Sequence, residues 1–226
     1  MGERLVVANW KSYKNSSEAA SWLEKLGSSL GVDQQRHEEV SGKKIIVCPP
    51  FTLLSVMAGI IKEKQLPIML GVQDISPFDE GAYTGSVNAG QASEFAQYVI
   101  IGHSERRTLF NEDDTVLTQK VAMAKKHGLT PIFCVQDKNT PIPLGITIVA
   151  YEPPSAIGTG VPDTPENADA IAKIIKEKNG IRYVLYGGSV KSGNVKSFTK
   201  RQNIDGVLVG GASLDPLEFS KIIEFS

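Results

Sequence analysis

Short apolar segments alternate along this chain with longer segments in which apolar residues recur every three or four positions. The short segments are rich in β-branched residues and are mostly apolar at every position. That pattern is typical of strands buried on both faces of a parallel sheet. Eight strands are therefore predicted: Leu5–Asn9, Lys44–Cys48, Ile68–Gln73, Tyr98–Gly102, Thr130–Val135, Ile146–Tyr151, Tyr183–Gly187 and Gly206–Gly210.

The longer segments predict helices between these strands. In Glu166–Lys178, for example, Ala170, Ile171, Ile174 and Ile175 fall on one helical face. Seven helices are predicted in this way: Ser17–Leu30, Leu53–Lys64, Ala89–Gln97, Asp113–His127, Pro165–Asn179, Val195–Gln202 and Pro216–Phe225.

This alternation predicts an α/β protein that forms one (β/α)8 barrel over residues 1–226, with a doubly wound open sheet as the weaker alternative. One connection departs from the pattern. Only ten residues, QDKNTPIPLG, separate Val135 from Ile146, and they include two prolines and a glycine. A crossover helix with its loops needs about a dozen residues or more. The fifth crossover helix is therefore expected to be reduced or absent.

Composition excludes several classes of protein. The chain has 24 Lys and Arg against 25 Asp and Glu, a formal charge of −1, so no basic excess points to nucleic acid or an anionic membrane. No apolar segment approaches the length that spans a bilayer, and the start of the chain has no hydrophobic signal core, which makes a cytoplasmic location the expectation. Cys48 and Cys134 lie inside apolar strands and are expected to be free, buried thiols.

Polar side chains and glycines follow several of the predicted strands. In a (β/α)8 barrel the carboxyl ends of the strands form the active-site face, so residues at those positions converge. Each residue taken singly has an ordinary structural interpretation, but their joint placement on one face predicts an active site. The residues concerned are Asn9, Lys11, His103, Glu105, Glu152, Ser189, Gly210 and Gly211.

The segment AYEPPSAIGTG, residues 150–160, combines two functions in this prediction. Glu152 follows a buried strand directly and is a candidate base. Two prolines then restrict the backbone, and a glycine-rich end leaves N–H groups accessible to an anion. A stiff beginning and a small, glycine-rich end are suited to a lid that closes over a bound phosphate.

The segments VVANWKSYKN, GAYTGSV, YVIIGHSERR, AYEPPSAIGTG, LYGGSV and DGVLVGGASL resemble the signature segments of triosephosphate isomerase, in that family's order and across the whole chain. The resemblance implies a TIM barrel enzyme that interconverts D-glyceraldehyde 3-phosphate and dihydroxyacetone phosphate, in glycolysis and gluconeogenesis. It also implies that no metal or other cofactor takes part.

The resemblance further implies a role for each matching residue. Asn9 and Lys11 bind substrate, and His103 is the electrophile. Glu105 supports the lysine, while Glu152 is the base. Substrate phosphate is held at Gly158, Ser189, Gly210 and Gly211.

Four positions depart from the family's usual pattern. Ser155 replaces a tryptophan beside the lid hinge, and Gln136 and Asp137 stand where an acidic residue normally supports that tryptophan. Ser86 replaces a glutamate. The double proline at Pro154 and the missing fifth helix are similar to the shortened, archaeal-type members of the family.

The loop Asp74–Val87 resembles the family's interface loop, so a homodimer is expected, and a tetramer is possible because the shortened members often form one. Two other functions remain open. One is a different phosphate-binding barrel enzyme, such as a ribulose-phosphate epimerase or an anthranilate-pathway isomerase. The other is a TIM-barrel phosphate-binding protein without isomerase turnover.

Overall fold

The structure, a computed structural model, describes residues 3–31, 42–156 and 160–226. Within these ranges eight parallel strands form a closed barrel in chain order, and the eighth strand pairs with the first. The predicted (β/α)8 TIM barrel is therefore confirmed. The strands are β1 Arg4–Asn9, β2 Lys43–Cys48, β3 Ile68–Val72, β4 Tyr98–Ile101, β5 Thr130–Val135, β6 Ile148–Tyr151, β7 Tyr183–Tyr186 and β8 Gly206–Val209.

Helices occupy most of the connections between strands in the described ranges. They are α1 Ser16–Ser29, α2 Leu54–Glu63, α3 Ala89–Ser93, α4 Ser104–Leu109, α5 Asp114–Lys126, α6 Pro165–Asn179, α7 Val195–Thr199 and α8 Pro216–Phe225. Three single 3₁₀ turns cover Phe51–Leu53, Pro154–Ala156 and Gly211–Leu214. None of these helices is long and apolar enough to cross a membrane.

Each of the seven predicted helices is present, although two end three or more residues earlier than predicted. Helix α3 ends four residues before Gln97, because the carbonyl of Ala92 accepts from both Phe95 N–H and Ala96 N–H and the chain leaves the helix in a tight turn. Helix α7 likewise ends at Thr199 instead of Gln202. The short α4 was not among the predicted helices.

The connection between β5 and β6 contains no helix, as the sequence predicts. The carboxylate of Asp137 accepts from the N–H groups of Asn139 and Thr140 at 2.7 and 2.8 Å, which turns the chain directly after the strand. Such side-chain bonds compete with helix formation. Ile142 then packs against the core, so the short connection still covers part of the barrel.

The core has two layers, because both faces of the sheet are buried. Side chains from alternate strand positions fill the interior of the barrel, including Leu5, Ile100, Ile132 and Leu208. The other strand positions pack against the helices in a larger outer layer. Burial of both faces explains why the strands are apolar at nearly every position.

A buried ionic cluster fixes the start of the loop that follows β3. Lys120 on α5 is only 2% exposed, and its ammonium lies 2.6 Å from both Asp74 Oδ1 and Glu112 Oε1. Arg106 on α4 adds contacts from its Nε to the same two carboxylates, at 2.9 Å to Asp74 and 2.7 Å to Glu112. A buried cation requires such partners. The cluster thereby holds Asp74 against α4 and α5.

The barrel closes where β8 begins, and the closure requires a glycine. A Cβ added to Gly206 would lie 1.9 Å from the carbonyl oxygen of Leu5 on β1, and backbone atoms cannot move aside as a flexible side chain can. Gly206 therefore permits the close approach of β8 to β1.

We predict that Gly206→Ala lowers the free energy of unfolding by about 3 kcal/mol or more, because the new methyl group must displace the β1 backbone. Urea unfolding measures this change. The matched control is Gly59→Ala on the exposed face of α2, where an added Cβ meets nothing within 4 Å. That variant is expected to gain about 0.5–1 kcal/mol from helix propensity. Equal effects of the two substitutions would contradict the proposed closure constraint.

Candidate active site

A cavity of about 200 Å³ opens at the carboxyl ends of the strands. It is lined by seven of the residues singled out from the sequence: Asn9, Lys11, His103, Glu152, Ser189, Gly210 and Gly211. Glu105 does not line the cavity but forms an ion pair with Lys11. Gly158 lies outside the described residues. The residues predicted from separate strands therefore share one cavity.

Glu152 is the most deeply buried acid of this cavity, with 1% of its surface exposed. Its Oε2 accepts from the backbone N–H of Ser104 at 3.1 Å, and its Oε1 lies 3.3 Å from His103 Nε2. Burial raises the pKa of Glu152, an effect partly offset by the His103 ring, the Ser104 N–H, the Cys134 thiol and Lys11. A raised pKa makes this carboxylate a stronger base than an exposed glutamate.

The orientation of the His103 ring follows from its position at the start of α4. Its Nδ1 accepts from the backbone N–H of Glu105 at 3.2 Å, so Nδ1 carries no proton. In the neutral ring the proton is then on Nε2, the atom that faces Glu152. The helix N-terminus thus presents an N–H donor of this ring to the cavity.

Lys11 has a left-handed backbone, with φ of 52°. A non-glycine residue in this region costs about 1–2 kcal/mol, so neighbouring contacts must hold it there. The Asn9 side chain accepts from its N–H at 3.0 Å, and Gln73 donates to its carbonyl at 2.8 Å. Gln73 also donates to the Cys48 carbonyl at 2.9 Å, which ties the loop to β2. These bonds, together with the Glu105 ion pair, fix the ammonium of Lys11 in the cavity.

Two glycine-rich turns, after β7 and β8, form another part of the cavity wall. A Cβ at Gly187 would lie 2.8 Å from Glu152 Cγ, so glycine leaves room for the buried carboxylate. Ser189 donates from its Oγ to the carbonyl of Ala156 at 2.7 Å, which joins the β7 turn to the segment after β6. Gly211 begins a 3₁₀ turn, and the first N–H groups of a helical turn have no acceptor within it. Such groups suit an anion.

Several residues of the site were not identified from the sequence. Lys191 lines the cavity beyond Ser189, and its position two residues after a glycine-rich turn could have suggested it. Cys134 is a free buried thiol, as expected, but it also lies close enough to the Glu152 carboxylate to lower the pKa of that group. Gln73 gave a weaker signal, a single amide at the end of a strand. In the described ranges no group of three or more His, Cys, Asp or Glu side chains could hold a metal ion.

Comparisons with known proteins show which family the sequence and the fold resemble. The sequence model of the family described as Triosephosphate isomerase matches residues 4–145 and 142–226. The chain is 38% identical to a triosephosphate isomerase of a Synechococcus strain, over 98% of this chain and 96% of the relative. It is 39% identical to that of Leifsonia xyli, with the same shares covered. The crystal structure of triosephosphate isomerase from Bartonella henselae is similar with a TM-score of 0.81, at 27% identity, over 99% of this chain and 98% of that one.

The raised pKa of Glu152 predicts a stability that depends on pH. In the unfolded chain a glutamate ionises near pH 4.3, whereas in the fold Glu152 ionises at a higher pH. The protein therefore loses stability from this group as the pH rises through the folded pKa. We expect Glu152→Gln, which cannot ionise, to unfold at higher urea concentration than the parent at pH 8, with a smaller gain at pH 4.5.

The matched control for this prediction is Glu63→Gln at the exposed end of α2, which is expected to change stability by less than about 0.5 kcal/mol at either pH. A gain for Glu152→Gln that stays constant between pH 4.5 and pH 8 would contradict the prediction, as would a loss at pH 8.

Proposed function

The chain belongs to the triosephosphate isomerase family, and on that premise we propose how its own residues divide the work of the reaction. The protein is an isomerase that interconverts D-glyceraldehyde 3-phosphate and dihydroxyacetone phosphate, a step of glycolysis and gluconeogenesis. The reaction moves one proton between two adjacent carbons and a second proton between their oxygens. A base and a hydrogen-bond donor must therefore act on the same substrate.

Glu152 is the base in this proposal. It removes a proton from the carbon beside the carbonyl, which produces an enediolate, and returns the proton to the neighbouring carbon. Its burial supports this role, because a buried carboxylate with a raised pKa accepts a proton readily. In the unliganded cavity the carboxylate is held by the Ser104 N–H and faces His103.

His103 is the electrophile. Its Nε2–H donates to the carbonyl oxygen as negative charge develops there. The ring gives this proton to that oxygen and takes the proton of the neighbouring hydroxyl in return, so that the second oxygen becomes the new carbonyl. The Nε2 proton can serve only one strong acceptor at a time, so a substrate oxygen competes with Glu152 Oε1 for it. Binding of substrate thus releases one oxygen of the base. This 3.3 Å contact between base and donor is the observation that carries the proposal.

Lys11 and Asn9 complete the polar wall around the developing charge. The ammonium of Lys11 stabilises the enediolate, and its ion pair with Glu105 sets its position. Because Asn9 holds the Lys11 backbone, we assign it a positioning role as well as substrate contact. Preorganised donors of this kind each contribute about 10²–10³-fold to the rate.

The phosphate group binds at the two glycine-rich turns, at Ser189, Gly210 and Gly211. Backbone N–H groups at the start of a helical turn support this assignment, since they suit a phosphate dianion. Lys191, a positively charged residue, lines the same cavity. The family's glycine at Gly158 belongs to this proposal on resemblance alone.

The other two functions find no support in these comparisons. A different phosphate-binding barrel enzyme would account for the glycine-rich turns. It would not account for Lys11, His103 and Glu152, which follow β1, β4 and β6. A barrel without turnover would have no use for a buried base and an imidazole 3.3 Å apart. Isomerisation of D-glyceraldehyde 3-phosphate by the purified protein would exclude both the other enzyme and the inactive barrel.

We further propose that residues 1–226 act as a single domain of a cytoplasmic homodimer. The free thiols of Cys48 and Cys134 fit a reducing compartment. The loop Asp74–Val87 provides the dimer contact. Phe78 and Tyr83 stack there at 4.4 Å between ring centroids while remaining 45% and 43% exposed. An exposed aromatic pair suits a partner surface.

The same loop is fixed to its own barrel at two points, which supports its use as a rigid contact. Asp74 enters the buried cluster with Lys120. At the far side Asp79 pairs with Lys126 and lies 2.9 Å from His127 Nε2, and the Lys126 bond lowers the pKa of Asp79 to about 2. A preorganised loop loses little freedom when a second copy binds.

Glu152→Gln is expected to lower kcat by about 10²–10⁴-fold with KM within about threefold of the parent, because the variant keeps the shape of the site and loses its base. A coupled assay with D-glyceraldehyde 3-phosphate measures both constants. Glu63→Gln is the matched control and should turn over normally. Parental turnover by Glu152→Gln would remove Glu152 as the base, and no turnover by the parent would remove the isomerase itself.

We expect a Phe78→Asp, Tyr83→Asp double variant to sediment as a monomer at micromolar concentration, whereas the parent sediments as a dimer or a larger assembly. The new charges cannot be buried against a partner without a large desolvation cost. Leu144→Asp, at a residue that is 92% exposed in the β5–β6 connection, is the control and should leave the sedimentation coefficient unchanged. A monomeric parent would contradict the proposal.

A further inference from the structure

Lys14 lies three residues after Lys11 in the same connection, and its backbone is also left-handed, with φ of 73°. Positive φ values are uncommon for residues other than glycine and are costly for a long side chain. Two such lysines in one six-residue connection between β1 and α1 need an explanation. For Lys11 the explanation is the active site. Lys14 does not line the cavity formed by the described residues, so its conformation serves another purpose.

The contacts of the Lys14 side chain indicate what that purpose is. Its ammonium donates a hydrogen bond of 2.8 Å to the carbonyl of Leu214, which is 200 residues away in the chain. The same ammonium lies 5.3 Å from the centroid of the buried Trp10 ring, within reach of a cation–π contact. Partial burial lowers the pKa of Lys14, while Glu18 and Asp215 raise it and Lys25 lowers it. The hydrogen bond that the Lys14 side chain makes is therefore to one backbone carbonyl, that of Leu214.

Leu214 is the last residue of the 3₁₀ turn that follows β8. Gly211 and Ala212, at the other end of this turn, line the active-site cavity. The turn has one further bond to the chain after β1, from Trp22 Nε1 on α1 to the carbonyl of Ser213 at 3.0 Å. Two consecutive carbonyls of one turn therefore accept bonds from the β1–α1 side of the barrel.

We propose that Lys14 is a positioning residue for phosphate binding. Its hydrogen bond to the Leu214 carbonyl, called the strap below, holds the turn Gly211–Leu214 against the connection that carries Lys11. The strap thereby sets the distance between the phosphate-binding N–H groups and the Lys11 ammonium. This inference rests on the proposed phosphate-binding role of Gly210 and Gly211.

The spacing between the two parts of the site supports the strap. A Cβ at Gly210 would lie only 3.4 Å from Lys11 Cε, so a small shift of the turn changes the space available to a bound anion. The base Glu152 and the electrophile His103 follow β6 and β4. Other strands of the barrel separate β6 and β4 from the junction between β8 and β1. Loss of the strap should therefore weaken phosphate binding and leave proton transfer between Glu152 and His103 intact.

The test compares Lys14→Met, which keeps the length of the stem and removes the donor, with Lys14→Arg, which keeps a donor. Lys14→Met is expected to raise KM and the inhibition constant of inorganic phosphate in parallel by about tenfold, because a charge-assisted bond is lost. Its kcat should stay within about threefold of the parent, and Lys14→Arg should restore both constants to within about threefold. Lys14 and Lys25 line the same surface pocket. Lys25→Met removes a charge from this pocket but leaves the strap intact, so it should change neither constant by more than about twofold.

Lys14→Gly separates the strap from the backbone strain. Glycine adopts a φ of 73° without cost, which offsets the loss of the side-chain contacts, so this variant should still fold and still show the raised inhibition constant. Parental phosphate inhibition of Lys14→Gly and Lys14→Met would overturn the inference, as would an equal loss in Lys25→Met or a fall in kcat as large as the rise in KM. If inorganic phosphate fails to inhibit the parent, the proposed role of Gly210 and Gly211 falls, and the inference falls with it.

Discussion

Every functional group of this protein depends on the hydrogen bonds that close the sheet between β8 and β1. Closure removes the unpaired edges of the sheet and brings the carboxyl ends of eight strands into one ring. Only then do residues as distant in sequence as Asn9 and Gly211 line the same cavity. At Gly206 closure leaves no space for even a methyl group, so the geometry of the site ultimately depends on a position with no side chain.

The closed barrel also makes the site costly to maintain. Glu152 is a buried carboxylate, and Lys11 and Lys14 hold backbone conformations that favour glycine. Each of these features opposes folding, and each is maintained by bonds from elsewhere: the Ser104 N–H, the Gln73 amide and the Leu214 carbonyl. Strain of this kind gathers at functional sites because the surrounding fold is stable enough to hold it.

The sequence was enough to predict the architecture, because it depends on local patterns. Continuous apolar segments indicated strands buried on both faces, and the short segment after Val135 indicated the missing helix. The site was predictable to the extent that its residues directly follow strands, as Glu152 and His103 do. Contacts between distant segments were not predictable. No local pattern indicates that Gln73 bonds to the Lys11 carbonyl, or that the Cys134 thiol meets the Glu152 carboxylate, since both depend on the three-dimensional register of neighbouring strands.

The tautomer of His103 has a spectroscopic consequence. The Nδ1 atom is occupied as an acceptor by the Glu105 N–H, so in the neutral ring the labile proton is on Nε2, in a side chain that is only 9% exposed. The chain has three histidines in all, so its imidazole resonances form a spectrum simple enough to assign. The resonance of this one proton therefore reports, from inside the active-site cavity, whether the cavity is occupied.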